Sequence, residues 1–112
     1  MKLRRWDIVK IPAANNDPVG HPAVVLSAED ILDDDKQQRF NVLVGTKKQP
    51  AERAKEHNVV LNGADGLSFL TLLDCSLIYV VRKAQIKERL GVVAFERRQE
   101  IKRKVRAYLG LG

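Results

Sequence analysis

Residues 19–27 read Val-Gly-His-Pro-Ala-Val-Val-Leu-Ser, and this stretch decides how the rest of the chain is read. Gly20, His21 and Pro22 punctuate the chain, and Pro22 leads into an unbroken Ala-Val-Val-Leu. A short apolar run bounded by turn residues is the mark of a buried strand. It leaves a titratable imidazole at the lip of that strand, where the chain bends and a ligand can reach it.

Working outward, Trp6–Ile11 ("WDIVKI") ends at Pro12 and predicts a first short strand. Between the two strands, "PAANNDPVGHP" is crowded with Pro, Asn, Asp and Gly, which is loop chemistry. "AEDILDDDKQQ" is acidic and solvated, with room for one helical turn. "RFNVLVGT" alternates as a third strand, with Phe40, Val42 and Val44 on one face and Asn41 and Leu43 on the other. After a polar loop, "NVVLN" predicts a fourth strand, stopped by the turn "GADG". "LSFLTLLDCSLIYVV" is long for one strand and suggests two, bent near Asp74; "LGVV" is a candidate last strand. The tail changes period. Ile101, Val105, Tyr108 and Leu109 recur at helical spacing before Leu-Gly-Leu-Gly closes the chain. Five to seven short strands over about residues 6–93, then a helix over about 94–109, predict a small curved antiparallel sheet or barrel with the helix packed on it.

The chain has 112 residues, 45% of them hydrophobic, which suits a single domain with a packed core. One cysteine, Cys75, leaves no intramolecular disulfide and fits a reducing compartment. "MKLRRWDIVKIP" has no apolar run long enough for a signal peptide or a membrane span, so the expectation is a cytoplasmic protein. His21, His57 and Cys75 cannot supply four ligands, so no structural zinc site is expected. The net charge of +6 favours a polyanionic partner.

Taken in order, "WDIVKIP", "GHPAVVLS", "VLVGT" and the run from Val59 to Val93 resemble the MazF/PemK-like toxins of bacterial toxin–antitoxin systems. The resemblance implies an SH3-like barrel with a C-terminal helix, a homodimer, metal-independent cleavage of single-stranded RNA, and a cognate acidic antitoxin that blocks the groove. It also marks departures. The family's glycine before Asp7 is Trp6, the glutamine after the late aspartate Asp74 is Cys75, and the arginine expected before Pro22 is His21.

RNA cleavage without metal uses the neighbouring 2′-OH as nucleophile. It needs a base for that proton, an acid for the leaving 5′-oxygen, and donors for the developing charge. Carried over from the family, His21 takes the arginine's place and Thr46 that of the strand-end hydroxyl. Histidine gives up the guanidinium fork but gains a proton-transfer group that works near neutrality. Lys47 and Lys48 follow at once and supply positive charge. Trp6, next to Arg4 and Arg5, is a candidate to stack a splayed base, and Asp74 is a further candidate RNA contact, with a turn or bulge the alternative. Phe69 is a second candidate for stacking a base, although core packing also accounts for it, and Asp17 is a candidate stand-in for the family's loop acid.

Two other readings stand beside the nuclease. One is a catalytically silent barrel that holds an antitoxin and, through it, operator DNA, or that poisons another target; the ending "YLGLG" lacks the Trp-Gly-Ile close of the topoisomerase-poisoning branch. The other is a basic RNA-binding module of the same fold.

Overall fold

The computed structural model describes residues 1–12 and 19–112. Among the described residues six strands form one antiparallel sheet: β1 (Asp7–Ile11), β2 (His21–Val25), β3 (Arg39–Lys47), β4 (Asn58–Leu61), β5 (Thr71–Arg82) and β6 (Arg89–Val92), in the order β4-β5-β3-β2-β1-β6. A one-turn helix, α1 (Glu29–Asp33), follows β2, and a closing helix, α2 (Phe95–Leu109), follows β6. The architecture is an antiparallel half-barrel with a C-terminal helix.

The uninterrupted apolar run in β2 has a plain cause. Its strand is buried on both faces, so both sets of alternating side chains must be apolar. Ala23 and Val25 join one core cluster, with Val9, Ile11, Phe40, Val42, Val44 and Leu32 of α1. Val24 joins a second, with Ile8, Leu43, Leu61, Leu73 and Ile101 of α2. The expected split in β3 holds for Phe40, Val42 and Val44 against Leu43, and both sets are buried. Beyond Val25 the β2–β3 ladder continues: Leu26 N–H donates to Asn41 O at 2.9 Å, and the Ser27 hydroxyl accepts from Asn41 N–H at 2.8 Å.

The bend expected near Asp74 is a break in pairing within one long strand. Thr71–Leu73 pair with Gly45–Lys47, and the ladder resumes at Ile78 opposite Leu43. At the break the Asp74 carboxylate accepts from Ser76 N–H and from its hydroxyl, at 2.9 and 2.5 Å. The "GADG" turn is a single 3-10 turn over Gly63–Asp65, and a second lies at Lys83–Gln85.

The first of these turns draws the two edges of the sheet together. β4 and β6 end opposite edges, yet a Cβ on Gly91 of β6 would run into the Asp65 carbonyl. Only glycine fits there. Asp65 is 1% exposed. Its carboxylate accepts from Asn62 N–H (2.9 Å) and from Ala94 N–H (2.8 Å), and it pairs with Arg97 Nε (2.7 Å). Ala94 begins α2 without a side-chain cap of its own, so a buried aspartate from the far edge of the sheet holds the start of the helix.

Elsewhere α2 is tied down sparingly. Ile101 is its buried residue, whereas Tyr108 and Leu109, which share its apolar spacing, are 48% and 47% exposed. Lys104 Nζ donates to Asn58 O (2.6 Å), and the Tyr108 ring meets His57 edge-on at 5.2 Å.

Replacing Asp65 by Ala leaves the Arg97 guanidinium and two backbone N–H groups without their acceptor. Asp65→Ala is expected to lower unfolding free energy by about 3–5 kcal/mol. Urea denaturation followed by circular dichroism measures this, and a loss under 1 kcal/mol would remove Asp65 from its structural role.

Candidate functional site

His21 opens β2, and Thr46 is the next-to-last residue of β3. Ala23 pairs with Val44, Val24 with Leu43 and Val25 with Val42. The ladder ends at the Ala23–Val44 pair, so in this antiparallel pair the start of β2 and the end of β3 leave it at the same end of the sheet. Residues far apart in the chain thus meet because one strand starts where the other ends.

They share one hollow of about 460 Å³, lined by Lys10, Val19, Gly20, His21, Pro22, Thr46, Lys47, Phe69 and Leu90. Gly20 makes the entry possible. Its φ is +73°, and a Cβ there would stand 2.9 Å from Ile11 O. Thr46 and Lys47 are exposed and His21 is half-buried. The Lys47 ammonium lies 6.0 Å from the centroid of the Phe69 ring, and Lys10 Nζ is 3.8 Å from Glu88 Oε2. No carboxylate lines the hollow among the described residues, and two lysines do. A hollow with an imidazole, a hydroxyl, cations and one aromatic wall suits a phosphodiester next to an unstacked base.

The structure therefore gathers His21, Thr46, Lys47 and Phe69 in one place. It sets the other candidates elsewhere. The Lys48 backbone N–H donates to Leu70 O (2.8 Å) and its ammonium reaches Gln49 O (3.3 Å), outside the hollow. Asp74 sits at the break in β5, across from Asn58. Asp17 lies outside the described residues. Lys10 and Leu90, which line the hollow, carried no signal in the sequence; they reach it because β1 pairs with β2 and β6 pairs with β1.

Trp6 goes to the other side. Its ring is in the core cluster beneath α2, with Arg98 and Lys102 each 5.9 Å from its centroid, one turn apart on the helix. The first strand begins after it, at Asp7, because Trp6 has φ +77°. Asp7 N–H donates to Arg4 O (3.1 Å), closing a four-residue turn in which Trp6 holds the third position. That is where a type II turn takes glycine. Asp7 secures the turn: its buried carboxylate accepts from Arg4 N–H (2.8 Å) and pairs with Arg89 Nη2 (3.0 Å).

Cys75 is fully buried, and burial pushes its thiol from 9.0 up to about 11. Among the described residues no three His, Cys, Asp or Glu side chains gather to hold a metal ion, and no helix is long and apolar enough to cross a membrane.

The sequence profile of the PemK-like, MazF-like toxins of type II toxin–antitoxin systems matches residues 4–109. The chain belongs to that family. A mycobacterial endoribonuclease, solved in complex with its cognate antitoxin, shares the fold with a TM-score of 0.79 at 15% identity, covering 98% of this chain and 97% of that one. The Mycobacterium tuberculosis toxin MazF-mt6 superposes with a TM-score of 0.75 at 12% identity, over 93% of this chain and 96% of that one. MazE–MazF from Deinococcus radiodurans (Form III) gives 0.74 at 15% identity over the whole of both chains. No curated protein matches in sequence.

The placement of Trp6 predicts an inverted order of stability. Trp6→Ala loses the indole and keeps an unfavourable positive φ; Trp6→Gly loses the indole but relaxes the turn. The glycine variant is expected to be the more stable of the two by about 1 kcal/mol, the reverse of the usual order, as read by chemical denaturation. Burial of Cys75 predicts a second result. The folded thiol stays neutral while that of the unfolded chain ionises, so stability contributed by Cys75 is full below pH 9 and declines as pH rises toward 11. Cys75→Ala is expected to flatten that decline in urea midpoints measured across this range.

Proposed function

We propose that this protein is the toxin of a type II toxin–antitoxin pair and acts as a metal-independent endoribonuclease on single-stranded RNA. The observation that supports this reading best is that His21, from the start of β2, and Thr46, from the end of β3, line one hollow together with two lysines.

In this reading the RNA 2′-OH attacks the adjacent phosphorus, the 5′-oxygen leaves, and a 2′,3′-cyclic phosphate remains. The His21 imidazole moves one proton, either taking it from the 2′-OH or giving it to the leaving oxygen, and solvent water takes or supplies the other. The Thr46 hydroxyl and backbone N–H hold a non-bridging oxygen, and Lys47 offsets the charge that grows on the phosphorane. Phe69 offers a face to a splayed base. The acidic antitoxin would meet a chain of net charge +6, and the working form would be a cytoplasmic homodimer.

The test is incubation of the purified protein with a long single-stranded RNA in excess EDTA. Wild type is expected to cut. His21→Ala is expected to slow cleavage about 10²–10⁴-fold, and Thr46→Val, which keeps shape and removes the hydroxyl, about tenfold or more. His21→Arg is expected to keep or raise activity. Equal cutting by wild type and His21→Ala would end the mechanism. A second reading, a silent barrel that holds an antitoxin and through it operator DNA, is favoured by the histidine in the family's arginine position; failure of wild type to cut would select it.

A further inference from the structure

At the other end of β3 from the hollow, Arg39 pairs directly with Arg82 of β5. Like charges directly opposite one another on neighbouring strands oppose folding. Both residues are exposed, and among the described residues neither guanidinium takes part in an ion pair or a hydrogen bond. Two adjoining hollows, of about 450 and 560 Å³, share Arg39, Arg82 and Ala84 as walls. The remaining walls are Gln37, Gln38, Val80, Val81 and Gln85, so among the described residues no carboxylate lines either one.

The backbone beneath the pair is braced. Arg82 N–H donates to Gln85 Oε1 (2.9 Å), and Lys83 Nζ spans to Ile31 O and Asp34 O (2.9 Å each). The strand register thus presents two planar, permanently charged donor groups side by side at a rigid corner. Two such forks match the oxygens of one phosphate or of two successive phosphates. Lysines scattered for solubility would not require a cross-strand repulsion.

We propose that Arg39 and Arg82 form a second phosphate-binding site that holds the backbone of a single-stranded RNA, away from the His21–Thr46 hollow. Arg39 and Thr46 are separated by about seven strand positions, roughly 23 Å. No single nucleotide spans both places, so the corner anchors a flanking part of a longer chain. The choice of RNA as ligand rests on the nuclease reading above; the anion site itself does not.

The probe is a labelled single-stranded RNA of about 24 nucleotides, 2′-O-methylated throughout so that it cannot be cut, bound to the full chain and followed by fluorescence anisotropy over a salt series. The Arg39→Gln/Arg82→Gln double variant is expected to bind it about tenfold more weakly at low salt. It is also expected to lower the slope of log K against log salt by about 1.4, the share of two phosphate contacts on a single strand. Its melting temperature is expected to stay level or rise, because the repulsion is gone. Equal affinity and slope for variant and wild type would overturn the proposal. So would a polyglutamate peptide that binds wild type as well as the RNA does and loses as much in the variant, which would make the corner a surface for acidic protein. Free inorganic phosphate that displaces the RNA from wild type and not from the variant supports it. A wild type that fails to cut RNA, with the variant's binding defect intact, would sink the nuclease reading and leave this site standing.

Discussion

The buried carboxylate of Asp65 is where the fold closes. It lies on the turn after β4 and faces a strand from the opposite edge of the sheet. Its oxygens satisfy a backbone N–H of its own turn, the N–H that starts α2, and the Arg97 guanidinium. A charge this deeply buried is tolerable only when fully partnered. The requirement works in both directions: the carboxylate needs β6, α2 and the turn in place, and each of those needs it. Curvature of the sheet and docking of the helix are therefore one event.

The helix is otherwise a poor core element, with one buried residue and a face of arginines and lysines. Trp6 compensates. A strained turn lifts its ring under Arg98 and Lys102, turning two charged residues of α2 into packing surface through their stems and cation–π contact. The positive charge of the chain is thus divided by use. Arg97, Arg98, Lys102 and Lys104 have structural partners, whereas Lys47, Arg39 and Arg82 stand at hollows.

How much of this could be read from the letters depended on whether the signal was local. Apolar runs and turn residues are local, so the strands around Val9, Val24, Val42 and Val59 and the closing helix were legible, with ends displaced by a residue or two. That His21 and Thr46 share one hollow was legible only through family resemblance, because no periodicity links positions in separate strands. The partners of Asp65 were illegible for the same reason: "GADG" announces a turn, and nothing in it announces Gly91, Ala94 or Arg97. The place of Trp6 was hidden for a subtler cause. An indole directly after two arginines suggests a nucleic-acid contact, but the positive φ at Trp6 is invisible in the letters and goes with a ring in the core beneath α2. Helical spacing likewise marked Tyr108 and Leu109 as apolar without revealing that the helix end overhangs its support.

Burial on both faces has a cost in alignment. Where a strand has one apolar and one polar face, sliding by one residue exposes the wrong set, and that penalty locks the pairing. β2 lacks such a lock, since Ala23, Val24 and Val25 are all buried. What indexes it against β3 is polar and lies at the far end, where the Ser27 hydroxyl meets Asn41 N–H. The positions of the imidazole and the threonine hydroxyl are consequently governed by a side chain six residues from the nearer of them. Ser27 acts as the index pin of a sliding scale: it touches nothing in the hollow, yet it determines which two residues are read off together there.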